Sequence, residues 1–126
     1  TYVAHGRNSG LTTATHFSNN HGSLGSSLGL YLTGKTFYAN DGYSMRLHGL
    51  SGKFNNNAFR RNVVMHGAWY VSQNFVNEHH RVGRSWGCPA VSKKLVKPII
   101  NTVKDGTLVF AYGKDKDWLA HGPYVA

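Results

Sequence analysis

The sequence predicts a mainly β fold of one domain, a twisted sheet or two packed sheets with one or two short covering helices. Three observations carry this. The 126 residues suit a single hydrophobic core. Charged residues make up only 15%, too few for long solvated helices. The 15 glycines and 11 asparagines supply turns between many short apolar runs. Disorder is excluded by 3 Trp, 7 Tyr and 6 Phe, aromatics that a chain unable to collapse does not carry.

Along the chain, Tyr2-Val3-Ala4 reads as a strand tail. Leu28 to Phe37 and Tyr43 to Leu50 alternate apolar and polar residues, and Val63-Val64-Met65 and Leu108 to Tyr112 are short apolar runs of strand type. Helical signal is confined to two places. Ser72 can cap a helix to His80 that carries Phe75, Val76 and His79 at helical spacing. Ser92 can cap a second, whose Leu95, Val96, Ile99, Ile100 and Val103 form one face, with Gly106 just beyond its end. Pro98 is expected to kink or restart that helix, because a mid-helix proline costs about 3 kcal/mol.

The 14 Lys and Arg against 5 Asp and Glu give a net charge of +9, which implies an anionic partner: nucleic acid, a membrane surface or an acidic polymer. No run of 18 apolar residues exists, so no membrane-spanning segment is expected. The chain opens at Thr1 without a basic-then-apolar leader, which reads as a processed or trimmed start. Its one cysteine excludes an internal disulfide framework and a multi-cysteine zinc site, leaving a buried bystander or a reactive thiol.

That cysteine stands in Arg84-Ser85-Trp86-Gly87-Cys88-Pro89, a polar, turn-like loop before the stronger helix. Gly87 permits close approach to a ligand and Pro89 fixes φ. Arg84 and the helix start are expected to make the loop electropositive, the condition that lowers a thiol's pKa. A nucleophilic thiol needs a base, and eight histidines compete for the role. Five precede glycine: His5, His21, His48, His66 and His121. His66 ends the run Asn62-Val63-Val64-Met65, where a rigid strand meets a loop, and Gly67 could turn a carbonyl inward to hold the ring. His5 is its nearest rival and His48 the third. The adjacent His79 and His80 read as solvated or substrate-facing.

His66-Gly67-Ala68 followed by Gly83-Arg84-Ser85-Trp86-Gly87-Cys88-Pro89-Ala90 resembles the signature of the murein L,D-transpeptidase catalytic domain family, in a branch with Ser-Trp-Gly-Cys-Pro. Val3 to Gly10, Phe17 to Asn19, Ser26 to Gly34, Arg46 to Leu50 and Arg61 to Ala68 also look like blocks of that branch. The resemblance implies a β-sandwich of mixed sheets with one or two short covering helices. It implies a single catalytic domain over residues 1–126 that lacks the strands usually found before Val3. It also implies that Cys88 attacks the bond between an L-centre and D-alanine in a peptidoglycan tetrapeptide stem. The resulting thioester passes to a second stem's amine to give a 3-3 cross-link, or to water in an L,D-carboxypeptidase reaction.

On the same resemblance His66 is the base and then the acid, Gly67 orients it, and amides at Gly87 and Cys88 form the oxyanion hole. Tyr31, Arg84, Ser85 and Trp86 line the substrate groove. The partners implied are peptidoglycan stem peptides, the location is the periplasm or the exported cell wall of a bacterium, carbapenems are expected to acylate the thiol, and no cofactor or metal is expected. Most members carry Ser-His-Gly-Cys and an arginine two residues after the cysteine. Here those positions are Trp86 and Ala90, which leaves His66 as the only motif base and suggests that Arg84 takes over the polar role.

Other functions fit the sequence less well. A nucleic-acid module would suit the charge, but Lys93, Lys94, Lys97 and Lys104 are interspersed along one helix and no RNA-binding aromatic signature occurs. A zinc peptidase lacks His-Glu-x-x-His and His-x-His and has only five acids to complete a ligand shell. A wall-binding scaffold without chemistry would have no need of Cys88 and His66 together.

Overall fold

A computed structural model describes residues 1–125. In chain order its elements are β1 (Gly29–Ala39), β2 (Gly42–Gly49), β3 (Val64–Ala68), α1 (Gln73–His79), β4 (Ala90–Ser92), α2 (Val96–Val103), β5 (Leu108–Ala111) and α3 (Lys116–His121), with single 3₁₀ turns at Arg7–Ser9 and Gly52–Phe54. The strands form one mixed sheet in the order β4-β3-β2-β1-β5. All neighbours are antiparallel except β3 and β4, which run parallel. The mainly β expectation holds. The described strands make one ladder, and α2 packs over β2 and β3.

The β1–β2 hairpin turns at Asn40-Asp41, and Gly42 takes the φ of 92° that closes it. Alternation then sends Tyr31 and Thr33 of β1 and Met45 and Leu47 of β2 inward. β3 is buried along its whole length, as a strand flanked on both edges and covered by a helix must be. Val96 and Ile100 of α2 pack with Val63, Met65 and Val91 into this core.

Three local expectations change. Pro98 is the third residue of α2, where backbone N–H groups have no intrahelical partner, so it neither kinks nor restarts the helix. Ser92 accepts from the Leu95 amide at 3.2 Å one turn before α2 begins, while Leu95 occupies the cap position. The tail Tyr2-Val3-Ala4 makes only a single bridge, Ala4 to Ala90. That bridge matters: with Arg7 donating to Ser85 at 2.7 Å and Ser85 donating to His5 at 2.9 Å, it straps residues 4–7 along residues 85–90. α1 forms as expected, with Ser72 accepting from the Phe75 amide. α3, capped by Asp115 accepting from the Trp118 amide, is an element that the sequence pattern does not announce. It seals the β5 edge with the fully buried Trp118 against Phe110 and Tyr112.

Candidate active site

The parallel β3–β4 pairing brings the two halves of the motif together. His66 is the register partner of Ala90, and its amide donates to the Pro89 carbonyl at 3.4 Å. Cys88 stands two residues before Ala90, and its sulfur accepts from the amide of Val64, two residues before His66, at 3.4 Å. The thiol in turn contacts the Asn62 carbonyl at 3.5 Å. In this resting arrangement its partners are backbone groups, and no hydrogen bond joins it to the His66 ring.

The cysteine loop is fixed from within. The buried Ser85 hydroxyl donates to the Cys88 carbonyl and accepts from the Gly87 amide at 3.2 Å. Gly87 has φ 118°, and a Cβ there would lie 2.7 Å from the Gly25 carbonyl oxygen. Only glycine fits this position. Because the Gly87 amide is spent on Ser85, it is not free to face a developing oxyanion, contrary to expectation. The Cys88 amide bonds no described residue and remains available.

His66 is buried, and its Nδ1 lies 2.9 Å from the Gly67 carbonyl oxygen. A carbonyl oxygen only accepts, so this contact assigns the proton to Nδ1 and leaves the Nε2 lone pair open. Asp41, at the β1–β2 turn, approaches the same Nδ1 to 3.9 Å. The rival His5 commits its Nε2 to the Gly10 carbonyl at 2.8 Å, and His48 stacks on Phe59. His79 stacks on Phe75, and the exposed His80 closes α1 in a left-handed conformation.

The thiol's pKa moves the opposite way from the lowering that an electropositive loop is expected to give. Burial pushes the Cys88 thiol up from its ordinary value, the Val64 amide pulls it down, Asp41 pushes it up and Arg61 pulls it down. Arg84 plays no part in this balance: it reaches the Arg7 carbonyl at 3.3 Å. The cation that acts on the thiol is Arg61. Its guanidinium holds the Ser18 and Gly25 carbonyls and the Ser23 and Ser27 hydroxyls at 2.6 to 3.1 Å. The sequence signal for Arg61 is an arginine three residues before the buried strand β3. Asp41 carries none, since only the hairpin brings it to His66.

The four residues expected to line one groove are divided. Tyr31 is buried and donates to the Ser27 carbonyl at 2.7 Å, and burial pushes its phenol pKa up to about 12. It faces an apolar cavity of about 350 Å³ shared with His5, Met65, Gly87 and Pro89. Arg84 and the exposed Trp86 line a separate groove with Trp69 and Tyr70. Ser85 faces neither and instead braces the loop.

The sheet joins the His-Gly strand end and the Ser-Trp-Gly-Cys-Pro loop, the two segments on which the family resemblance rests. Residues 1–112 match the family model for the L,D-transpeptidase catalytic domain. Neither a curated protein nor a solved structure matches the chain. A family match over all but the last 14 residues is decisive, and the chain belongs to the L,D-transpeptidase catalytic domain family.

Proposed function

We propose that the protein is an exported, cell-wall L,D-transpeptidase that uses Cys88 as nucleophile. The observation that carries this is the His66 ring, held by the Gly67 carbonyl at 2.9 Å with Nε2 open, on the strand that pairs with the cysteine loop. Burial pushes the Cys88 thiol's pKa up, which favours a mechanism in which a base takes its proton at the moment of attack.

In the proposed cycle the Cys88 sulfur attacks the carbonyl carbon between an L-centre and D-alanine of a tetrapeptide stem, and its proton passes to His66 Nε2. The tetrahedral oxyanion faces the Cys88 amide, a donor of the type worth about 3 kcal/mol. Collapse breaks the C–N bond. D-alanine leaves with the proton returned by His66, and a thioester remains. The side-chain amine of a second stem's diamino acid attacks the thioester, gives its proton to His66 and re-forms the thiol, leaving a 3-3 cross-link. Water in the amine's place yields the tripeptide, the L,D-carboxypeptidase outcome.

The +9 charge suits work beside an anionic wall. The test is intact-mass spectrometry after incubation with a disaccharide tetrapeptide or a carbapenem. The expected result is a single adduct on Cys88, with D-alanine released from the peptide and both lost in Cys88→Ala. Folded protein that forms no adduct and releases no D-alanine would overturn the assignment.

A further inference from the structure

Beside the cysteine loop lies a groove of about 270 Å³ whose lining includes Arg7, Arg81 and Arg84 together with Trp69, Tyr70 and Trp86. The three arginines come from the 3₁₀ turn, the loop after α1 and the motif itself. None of the groove's lining residues is acidic, and none of the three arginines is ion-paired among the described residues. Arg84 gives one N–H to the Arg7 carbonyl at 3.3 Å and Arg81 one to the Val82 carbonyl at 2.9 Å. Each guanidinium has five donors, so most have no partner among the described residues.

Arg81 also lies 5.8 Å above the Phe75 ring, and Arg60, outside the groove, makes a single bond to Asn57, but two other arginines are more fully engaged. Arg61 is bonded to four oxygens, and Arg46 donates to Asn62 and lies 4.0 Å above the Phe37 ring. Three converging cations without a counter-charge repel one another, a cost that an anionic ligand removes. The walls add flat apolar faces, since Trp69 is 70% and Trp86 75% exposed while Trp118 is fully buried. The groove is built to last: the Tyr70 ring packs where a Cβ on Gly83 would stand, and Trp69 meets Tyr70 and Phe75 edge to face.

We infer that this groove is a carboxylate-recognition subsite for the stem peptide, with free carboxylates on the forks of Arg7, Arg81 and Arg84 and the peptide's apolar face on Trp69 and Trp86. Forked guanidinium contacts give geometric selectivity that a point charge lacks. The inference rests on the proposed peptidoglycan substrate and deepens it, and either the acyl donor or the acyl acceptor can supply the carboxylates.

The test separates these sources from each other and from the chemistry. In Cys88→Ala protein, titration calorimetry compares a disaccharide tetrapeptide with the same molecule amidated at its carboxylates. At least tenfold tighter binding of the carboxylate form is expected, and Arg7→Gln/Arg81→Gln should erase that preference, while Arg7→Lys/Arg81→Lys should keep part of it. Equal affinity for the two forms, or a preference that survives the glutamine pair, overturns the inference. No turnover is needed, so this outcome is independent of whether Cys88 forms a thioester. In active protein, the donor KM from D-alanine release and the acceptor KM from cross-linked product are measured separately. The KM that rises at least tenfold in the glutamine pair identifies the source, and a rise in neither overturns the subsite.

Discussion

His66 and Gly67 form one geometric unit: the ring's Nδ1 donates to the carbonyl of the very next residue at 2.9 Å. A backbone carbonyl fixes one tautomer of the ring here and leaves Nε2 without a partner among the described residues; in the proposed mechanism it takes the place of a triad's buried acid. His66→Gln keeps a side-chain amide but cannot shuttle a proton, so acylation by a tetrapeptide is expected to fall by about 10²–10⁴-fold. His5→Ala is expected to lower it less than tenfold, because the His5 Nε2 is occupied by Gly10 at 2.8 Å. Stopped-flow or mass-resolved acylation kinetics checks both, and the reverse ranking would move the base to His5.

The thiol itself gives a pH prediction. Burial is the largest influence on Cys88 and raises its pKa above the ordinary value of 9.0. A raised pKa means that the reactive thiolate appears later on the pH scale. Alkylation by a small neutral reagent is therefore expected to keep rising beyond pH 9 in the free protein. Asp41 adds to the upward push, so Asp41→Asn should move the alkylation profile to lower pH. An iodoacetamide rate series read by intact mass measures it. A profile that levels off near neutral pH would show a preformed thiolate instead.

Much of this site is legible in the chain, and what is not shares one physical cause. His66, Gly67 and Cys88 can be read because a strand end and a Gly–Cys–Pro loop are local features, each encoded within a few residues. Arg61 and Asp41 act on Cys88 across 27 and 47 residues of sequence, through contacts that exist only after β1, β2 and β3 align. The amide of Gly87 escapes a sequence reading for a related reason: its use depends on which way the Ser85 hydroxyl turns. β4 is three residues long and α3 six, too short for periodicity to declare them.

Pro98 tests the same distinction in energy. Its place in the first turn of α2 means that no hydrogen bond is missing and that its fixed φ suits the helix. Pro98→Ala is thus expected to change stability by less than about 1 kcal/mol. The direction should be slight destabilisation, because the unfolded chain regains freedom. Urea unfolding of the two proteins decides it. A gain of about 3 kcal/mol would mean that the proline strains the helix interior after all.

Arg61 and Gly87 meet at one atom. The Gly25 carbonyl oxygen accepts from Arg61 Nη2 at 2.9 Å, and the same oxygen stands 2.7 Å from where a Gly87 Cβ would project. Gly87→Ala has to push that carbonyl aside and hold a φ of 118° with a side chain, a strain of about 1–3 kcal/mol. Arg61→Lys replaces a five-donor fork by one ammonium, which cannot hold the Ser18, Ser23, Gly25 and Ser27 oxygens together. Its expected cost is about 2–4 kcal/mol, with acylation slowed at least tenfold because the loop under Cys88 loses its anchor. If the shared carbonyl is what links them, the two changes are not independent: once Arg61→Lys frees the Gly25 carbonyl to move, the methyl group added by Gly87→Ala has less to clash with. The double variant should then be less destabilised than the sum of the singles, by about 0.5–2 kcal/mol in a double-mutant cycle of urea unfolding. Strict additivity would show that the clamp and the glycine act separately.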